Sequence, residues 1–117
     1  MLNRVMLIGN LGSDPELKHT QNNKSVTSFR MATGFKTKDK ENTEWHNIVC
    51  WERTAENVAK FMKKGARVYV EGRIQTRSWD KDGTTQYKTE IVANQVLFLD
   101  SKNFNGNDQN DEGSMPF

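Results

Sequence analysis

The sequence predicts an all-β domain: a five-stranded Greek-key barrel with one short helix between the third and fourth strands, followed by a disordered C-terminal tail. Three observations predict it. Apolar residues recur with strand periodicity in separate segments broken by polar turns. The period becomes helical in one place only, near residues 54–64. Beyond residue 100 the aliphatic side chains stop.

The first strand is Arg4–Leu11, where the run Val5-Met6-Leu7-Ile8 is closed by Gly9-Asn10-Leu11-Gly12. Asp14-Pro15 and Gln21-Asn22-Asn23 mark turns. Ser25–Thr33 alternates, with Phe29 and Met31 on one face and Ser28 and Arg30 on the other. Gly34–Asn42 is polar and lysine-rich and reads as an exposed loop. Thr43–Trp51 is the third strand. Thr54–Lys64 is the helix, with Thr54 as N-cap and Ala55, Val58, Ala59 and Met62 on one apolar stripe. Lys60, Lys63 and Lys64 place cations toward its C-terminus, and Gly65 supplies the left-handed residue after it. Arg67–Trp79 is the fourth strand and Tyr87–Leu99 the fifth, with Asp80–Thr84 turning between them. The order β-β-β-α-β-β matches the OB-fold, a small Greek-key barrel. Three segments follow from this: a barrel domain over 1–100, a short linker over 101–110, and an acidic tip over 111–117.

Charge is uneven along the chain. Residues 1–100 hold 16 Lys and Arg against 12 Asp and Glu, whereas 101–117 hold one Lys against three acids. A basic body suits a polyanionic partner and gives the acidic tail a separate role. The single cysteine, Cys50, excludes an internal disulfide and offers no metal-site spacing with His19 or His46. Its apolar run, Ile48-Val49-Cys50, suits a buried structural thiol. Neither a secretory h-region nor an apolar run near the ~18 residues of a membrane span is present, so a cytoplasmic, nucleoid-associated location is expected, with no membrane partner.

The fourth strand is the most informative. Val68, Val70, Gly72 and Ile74 fall on one face and are expected in the core. Tyr69, Glu71, Arg73, Gln75, Arg77 and Trp79 fall on the other, which places Trp79 on a basic, outward face. Trp45 and Trp51 are six residues apart and share a face with Asn47 and Val49, while His46, Ile48 and Cys50 point the opposite way. Alternation alone leaves both tryptophans open to packing or to use. Flat aromatic rings among Lys and Arg are what single-strand recognition needs, since every base offers a π-face and every nucleotide a phosphate. Lys36, Lys38 and Lys40 are placed to follow a backbone, or simply to solvate a loop.

No catalytic constellation, no cofactor site and no metal site is legible. Asp14 and Glu16 sit in a turn, and His46 reads as a packed or interface residue. Gly9-Asn10-Leu11-Gly12 has the spacing of a KH-domain loop, but strands flank it where helices are required. Walker and Rossmann fingerprints are missing.

Five collinear segments carry a family resemblance: Asn3-Arg4-Val5 with Ile8-Gly9-Asn10-Leu11-Gly12-Ser13-Asp14-Pro15-Glu16; Thr43-Glu44-Trp45-His46; Lys64-Gly65 with Val68-Tyr69-Val70-Glu71-Gly72-Arg73; Thr76-Arg77-Ser78-Trp79; and the final Pro116-Phe117. On these the chain resembles the bacterial single-stranded DNA-binding proteins over essentially its whole length. The resemblance implies a homotetramer of OB-folds that wraps single-stranded DNA. It places Trp45, Trp51 and Trp79 where relatives stack bases, with Trp51 standing where Phe is common. It places Arg4, Arg53, Lys64, Arg73 and Arg77 at or beside polar or basic contacts, and His46 at the subunit interface. It implies that Asp111, Glu112, Met115, Pro116 and Phe117 dock replication, recombination and repair proteins.

The chain also departs from the family. Its Gly34–Asn42 loop is short and lacks a tryptophan found in relatives. Phe35 is the residue able to substitute there, though its parity with Phe29 and Met31 equally allows a core role. The linker is very short and the tip less acidic than is usual. Two other roles compete with DNA coating: a barrel subunit of a primosome-like assembly and an RNA-binding cold-shock-type module. The three tryptophans and the Pro-Phe end oppose the first. The second lacks its glycine-aromatic motifs.

Overall fold

In a computed structural model, which describes residues 1–99, the chain folds as one barrel. Its elements are β1 (Val5–Leu11), β2 (Glu16–His19), β3 (Ser25–Lys36), β4 (Glu41–Trp51), α1 (Glu52–Phe61), β5 (Arg67–Lys81) and β6 (Thr84–Phe98). The sheet order is β1-β5-β6-β4-β3-β2, and an additional β1–β3 pairing closes five of the strands into a ring. Closure occurs where Asn10 and Leu11 pair with Ala32 and Met31. A side chain at Gly9 would overlap the Ala32 carbonyl, so the close approach there requires glycine. All pairs are antiparallel except β4 with β6, which run parallel over Ile48–Cys50 and Ile91–Ala93.

The predicted all-β barrel and its single helix are present, with four differences in detail. First, the turn region before Ser25 contains the four-residue strand β2, fully exposed and paired only with β3. No alternation marks it because neither of its faces is buried. Second, most of the expected Gly34–Asn42 loop is strand. β3 runs on to Lys36, β4 begins at Glu41, and Thr37 and Lys40 close the turn through a backbone bond of 2.8 Å.

Third, the helix begins at Glu52 and ends at Phe61, with Trp51 as N-cap and no side-chain cap. Thr54 is therefore inside the helix. Glu52 takes a φ of 55°, a left-handed turn that carries β4 straight into α1 and replaces the expected capped loop. Gly65 does have a φ of 90°, but in the turn to β5, three residues beyond the C-cap Met62. Fourth, the β5–β6 hairpin is tighter than expected. β6 starts at Thr84, and Asp82 and Gly83 both take positive φ, the pattern of a two-residue type I′ turn.

The core sits inside the ring. Phe29 and Met31 from β3, Ile48 and Cys50 from β4, Val68 and Val70 from β5, and Ile91 and Ala93 from β6 are buried. Helix α1 packs against the barrel, chiefly on β3 and β4, and adds Ala55, Val58 and Met62 to the core. Thr27, fully buried, donates its hydroxyl to the Ala55 carbonyl at 2.9 Å, and so ties helix to barrel without an unpaired polar atom. Burial pushes the Cys50 thiol up to about 12, because the thiolate would be stranded among apolar side chains. The motif after β1 is structural. Asn10 donates to the Gly65 carbonyl at 3.0 Å, and Asp14 accepts the Lys64 backbone N–H at 2.8 Å.

Candidate nucleic-acid interface

Register determines which side chains share the outer face. Trp45 pairs with Ala32, Asn47 with Arg30 and Trp51 with Val26, so the odd residues of β4 and the even residues of β3 point the same way. Val49 pairs with Val92, and Val92 with Arg73, which continues this face across β6 to β5. There it carries Arg73, Gln75, Arg77 and Trp79 beside Gln86, Lys88 and Glu90. Two tracks therefore meet on one face: Trp45 to Trp51 along β4, and Arg73 to Trp79 along β5. Trp45 and Trp51, six strand residues apart, are separated by about 20 Å.

All three tryptophans are partly open: Trp45 is 49% exposed, Trp51 41% and Trp79 41%. Two of the rings have a local support. Trp45 lies against Gly12, where any side chain would collide with its ring, and the Arg30 guanidinium sits 4.5 Å from the ring centre. Arg77 stands 5.2 Å from the centre of Trp79 and donates its Nε–H to Glu90 at 3.0 Å. Glu90 is nearly buried and also faces the Lys88 ammonium at 3.8 Å. It holds Arg77 beside the ring. Trp51 is followed by the left-handed Glu52 and by Arg53, exposed in the first turn of α1.

The proposed cations divide into two groups. Arg4 is ion-paired to Glu71, and Arg77 to Glu90. Glu71 also accepts the Tyr69 hydroxyl at 2.7 Å, and that hydrogen bond raises the tyrosine pKa. Arg53, Arg73, Lys36, Lys38, Lys40 and Lys64 form no ion pair among the described residues. The three lysines cluster at the tip of the β3–β4 hairpin, which extends the β4 track beyond Trp45. Lys64 lies after the helix, bound through its backbone to Asp14.

Phe35 shares the parity of Phe29 and Met31 but is 64% exposed, because the β3–β4 hairpin has left the barrel by that point. The core role open to it in the sequence is excluded within this chain. Ile74 is a correction of the same kind. It was expected in the core, yet it is half exposed, since β5 projects past the ring after Gly72. His46 is half-buried at the barrel rim and shares a 2.8 Å hydrogen bond with Thr33 between Nε2 and Oγ1. The tip residues Asp111, Glu112, Met115, Pro116 and Phe117 lie outside the described residues.

Two members of the face were not singled out from the sequence. Arg30 supports Trp45, and Lys88 stands next to Arg77. The signal for Arg30 was its alternation on β3, but placing it over Trp45 needs the β3–β4 register. Lys88 needs the extra residue in β6 that shifts the register between Glu71 and Gly72, after which Arg77 pairs with Lys88.

The comparisons with known proteins agree on one family. The profile of the Single-strand binding protein family matches residues 2–99. A single-stranded DNA-binding protein 1 of Chlorobaculum tepidum is 48% identical over 112 residues, 90% of this chain and 69% of that protein. A single-stranded DNA-binding protein of Oceanobacillus iheyensis is 43% identical over 117 residues, 97% of this chain and 73% of that protein. Among solved structures, a Plasmodium falciparum SSB in complex with ssDNA superposes with a TM-score of 0.79 at 35% identity, covering 86% of this chain and 96% of that one. The barrel, its register and these matches place the chain in the single-strand binding protein family.

Proposed function

We propose that this protein binds single-stranded DNA without reading its sequence and protects it, as a non-catalytic partner in replication, recombination and repair. The observation that carries the reading is the common outer face of Trp45, Trp51 and Trp79, each ring half open, with an arginine beside Trp45 and another beside Trp79. Bases stack on these rings, and Phe35, exposed on the other side of the β3–β4 hairpin, adds a fourth aromatic that a strand wrapping round the hairpin meets. Lys36, Lys38, Lys40, Arg53, Lys64 and Arg73 neutralise phosphates. Arg4 and Arg77 join them by exchanging part of their carboxylate pairing for phosphate. Family relatives named for single-stranded DNA binding, and the solved relative bound to ssDNA, support the ligand class.

The same reading makes the protein a homotetramer with His46 at an interface. Two features support assembly. Among the described residues the β1 edge is unpaired from Val5 to Gly9 on the side away from β5, and Met6 and Ile8 are exposed there. Residues 111–117 are assigned to docking of DNA-processing partners, with Phe117 as the apolar anchor.

The deciding experiment is a tryptophan-fluorescence titration with poly(dT) and with duplex DNA over a range of salt. Quenching by the single strand is expected, with affinity falling on a log–log slope near −0.7 per phosphate neutralised. A duplex preference or a flat salt response would overturn the reading. Sedimentation tests the tetramer, which a monomer mass of 13.5 kDa at micromolar concentration would refute. Removing Pro116 and Phe117 is expected to leave DNA affinity intact and to abolish partner capture.

A further inference from the structure

A second aromatic and cationic surface lies beyond the tryptophans, along helix α1. β4 and β6 pair only as far as Cys50 and Ala93, and from there α1 lies beside β6 across an open groove of about 1040 Å³. The edge of β6 from Asn94 to Phe98 on that side has no strand partner among the described residues. Val58 and Met62, both buried, line the groove from the helix, and Val96 and Phe98 line it from the strand. Phe61 lines it too, yet is 60% exposed. The Lys60 ammonium stands 5.2 Å from the centre of the Phe61 ring, and Lys63 and Lys64 line the same groove. None of the three lysines forms an ion pair among the described residues, and no Asp or Glu among them lines the groove. Its remaining polar lining includes the exposed amides of Asn57 and Asn94.

We propose that this groove is a second single-stranded DNA subsite, in which a nucleobase stacks on Phe61 and the lysines neutralise the phosphates beside it. This subsite rests on the DNA-binding reading and lengthens its track beyond the tryptophans. Three observations select the occupant. The first is charge: unpaired cations around an apolar floor suit a polyanion whose bases have apolar faces. A second copy of the chain, with 16 Lys and Arg against 12 Asp and Glu over residues 1–100, meets that charge with its own. A duplex offers the same phosphates but keeps its bases paired and stacked, out of reach of Phe61. The second is the polar lining. The amides of Asn57 and Asn94 and the unpaired backbone groups of the β6 edge both donate and accept, so they serve the edge of any base. The third is position. Trp51 caps α1 and Phe61 is its last residue, about 15 Å away along the helix axis at ~1.5 Å per residue. That is less than the roughly 20 Å between Trp45 and Trp51. Thr54, in the first turn of α1, already lines the groove, so a strand that leaves Trp51 past Arg53 enters it there.

The test uses the full chain and dT oligomers of increasing length. Wild type and Phe61→Ala are expected to bind equally to oligomers that cover only the tryptophan face. On longer strands Phe61→Ala is expected to bind about 5- to 150-fold more weakly, the loss of one stacked base, and Phe61→Trp to restore the wild-type value. A long strand carrying iododeoxyuridine should, on irradiation, crosslink to Phe61 as well as to the tryptophans, as read by mass spectrometry of the peptides. Crosslinks confined to the tryptophan face, or equal affinity of Phe61→Ala and wild type at every length, overturn the subsite and leave the DNA-binding reading standing. A loss that is the same at every length also overturns it, because Phe61 then acts on the fold and not on the far part of the strand. So does a lower sedimentation mass of Phe61→Ala with unchanged DNA binding, since the groove then seats a second copy. Failure of the wild-type chain to bind poly(dT) overturns both readings together.

Discussion

The lower and upper halves of β5 obey the same alternation and do different things. From Arg67 to Gly72, every second residue is buried: Val68, Val70 and Gly72. From Arg73 to Lys81 the alternation persists, yet no residue is buried. The lower half is backed by the core inside the ring, whereas the upper half projects from it as a hairpin with β6. Alternation therefore reports the face of a side chain, and burial additionally requires a second layer behind it. The hairpin loses its core and gains an outer face, carrying Arg73, Arg77 and Trp79, that is free to meet a ligand.

Two isoleucines on the inward side give the sharpest test of that contrast. Ile48, fully buried in β4, should cost about 2–5 kcal/mol on replacement by alanine, through lost burial and the cavity left behind. Ile74, on the same inward side but half exposed, should cost within about 0.5 kcal/mol. Urea denaturation of Ile48→Ala and Ile74→Ala measures both. Equal losses would mean that the hairpin has a covering layer of its own.

The junction at Glu52 is the next largest effect. Its left-handed φ of 55° turns β4 into α1 while leaving Trp51 on the outer face. A β-branched residue resists that conformation, so Glu52→Val should destabilise the fold by about 1–2 kcal/mol, and Glu52→Gly should not. Similar unfolding midpoints for the two variants would show that the turn is not under backbone constraint.

The smallest effect concerns Cys50. Its folded-state pKa is raised from 9.0 to about 12, so the folded protein retains a proton that the unfolded chain releases. The thiol's contribution is fully present below pH 9 and is lost as pH rises from about 9 toward 12. Cys50→Ala should therefore flatten the fall in stability across that window. At pH 8 a thiol reagent should modify the native protein slowly and the urea-unfolded chain fast. Rapid native labelling would place Cys50 in contact with water.

Much of the fold was legible because its signals are local. Alternation gave the inward residues of β3 and of lower β5, and the stripe Ala55, Val58 and Met62 gave the helix face. What stayed hidden depends on long-range geometry. β2 is exposed on both faces and so carries no pattern. The helix start moved from Thr54 to Glu52 because a left-handed residue replaced a side-chain cap, and no propensity signals that choice. Phe35 and Ile74 kept their predicted faces but lost their cover, since the sequence does not show where a strand leaves the barrel. Trp45, Trp51 and Trp79 were identifiable as candidates. Their union on one face needed the parallel β4–β6 pairing, and Arg30 needed the β3–β4 register.

The central claim is that the outer face carries binding while the inner face carries the fold, and Trp79→Ala tests it most directly. Trp79 stands on the projecting hairpin, supported by Arg77 and far from the core. Its replacement should weaken poly(dT) binding by about 1–3 kcal/mol, measured by anisotropy of a labelled oligonucleotide, while the urea unfolding midpoint stays at the wild-type value. Wild-type affinity in this variant, or a loss of affinity matched by a loss of stability, would contradict the account.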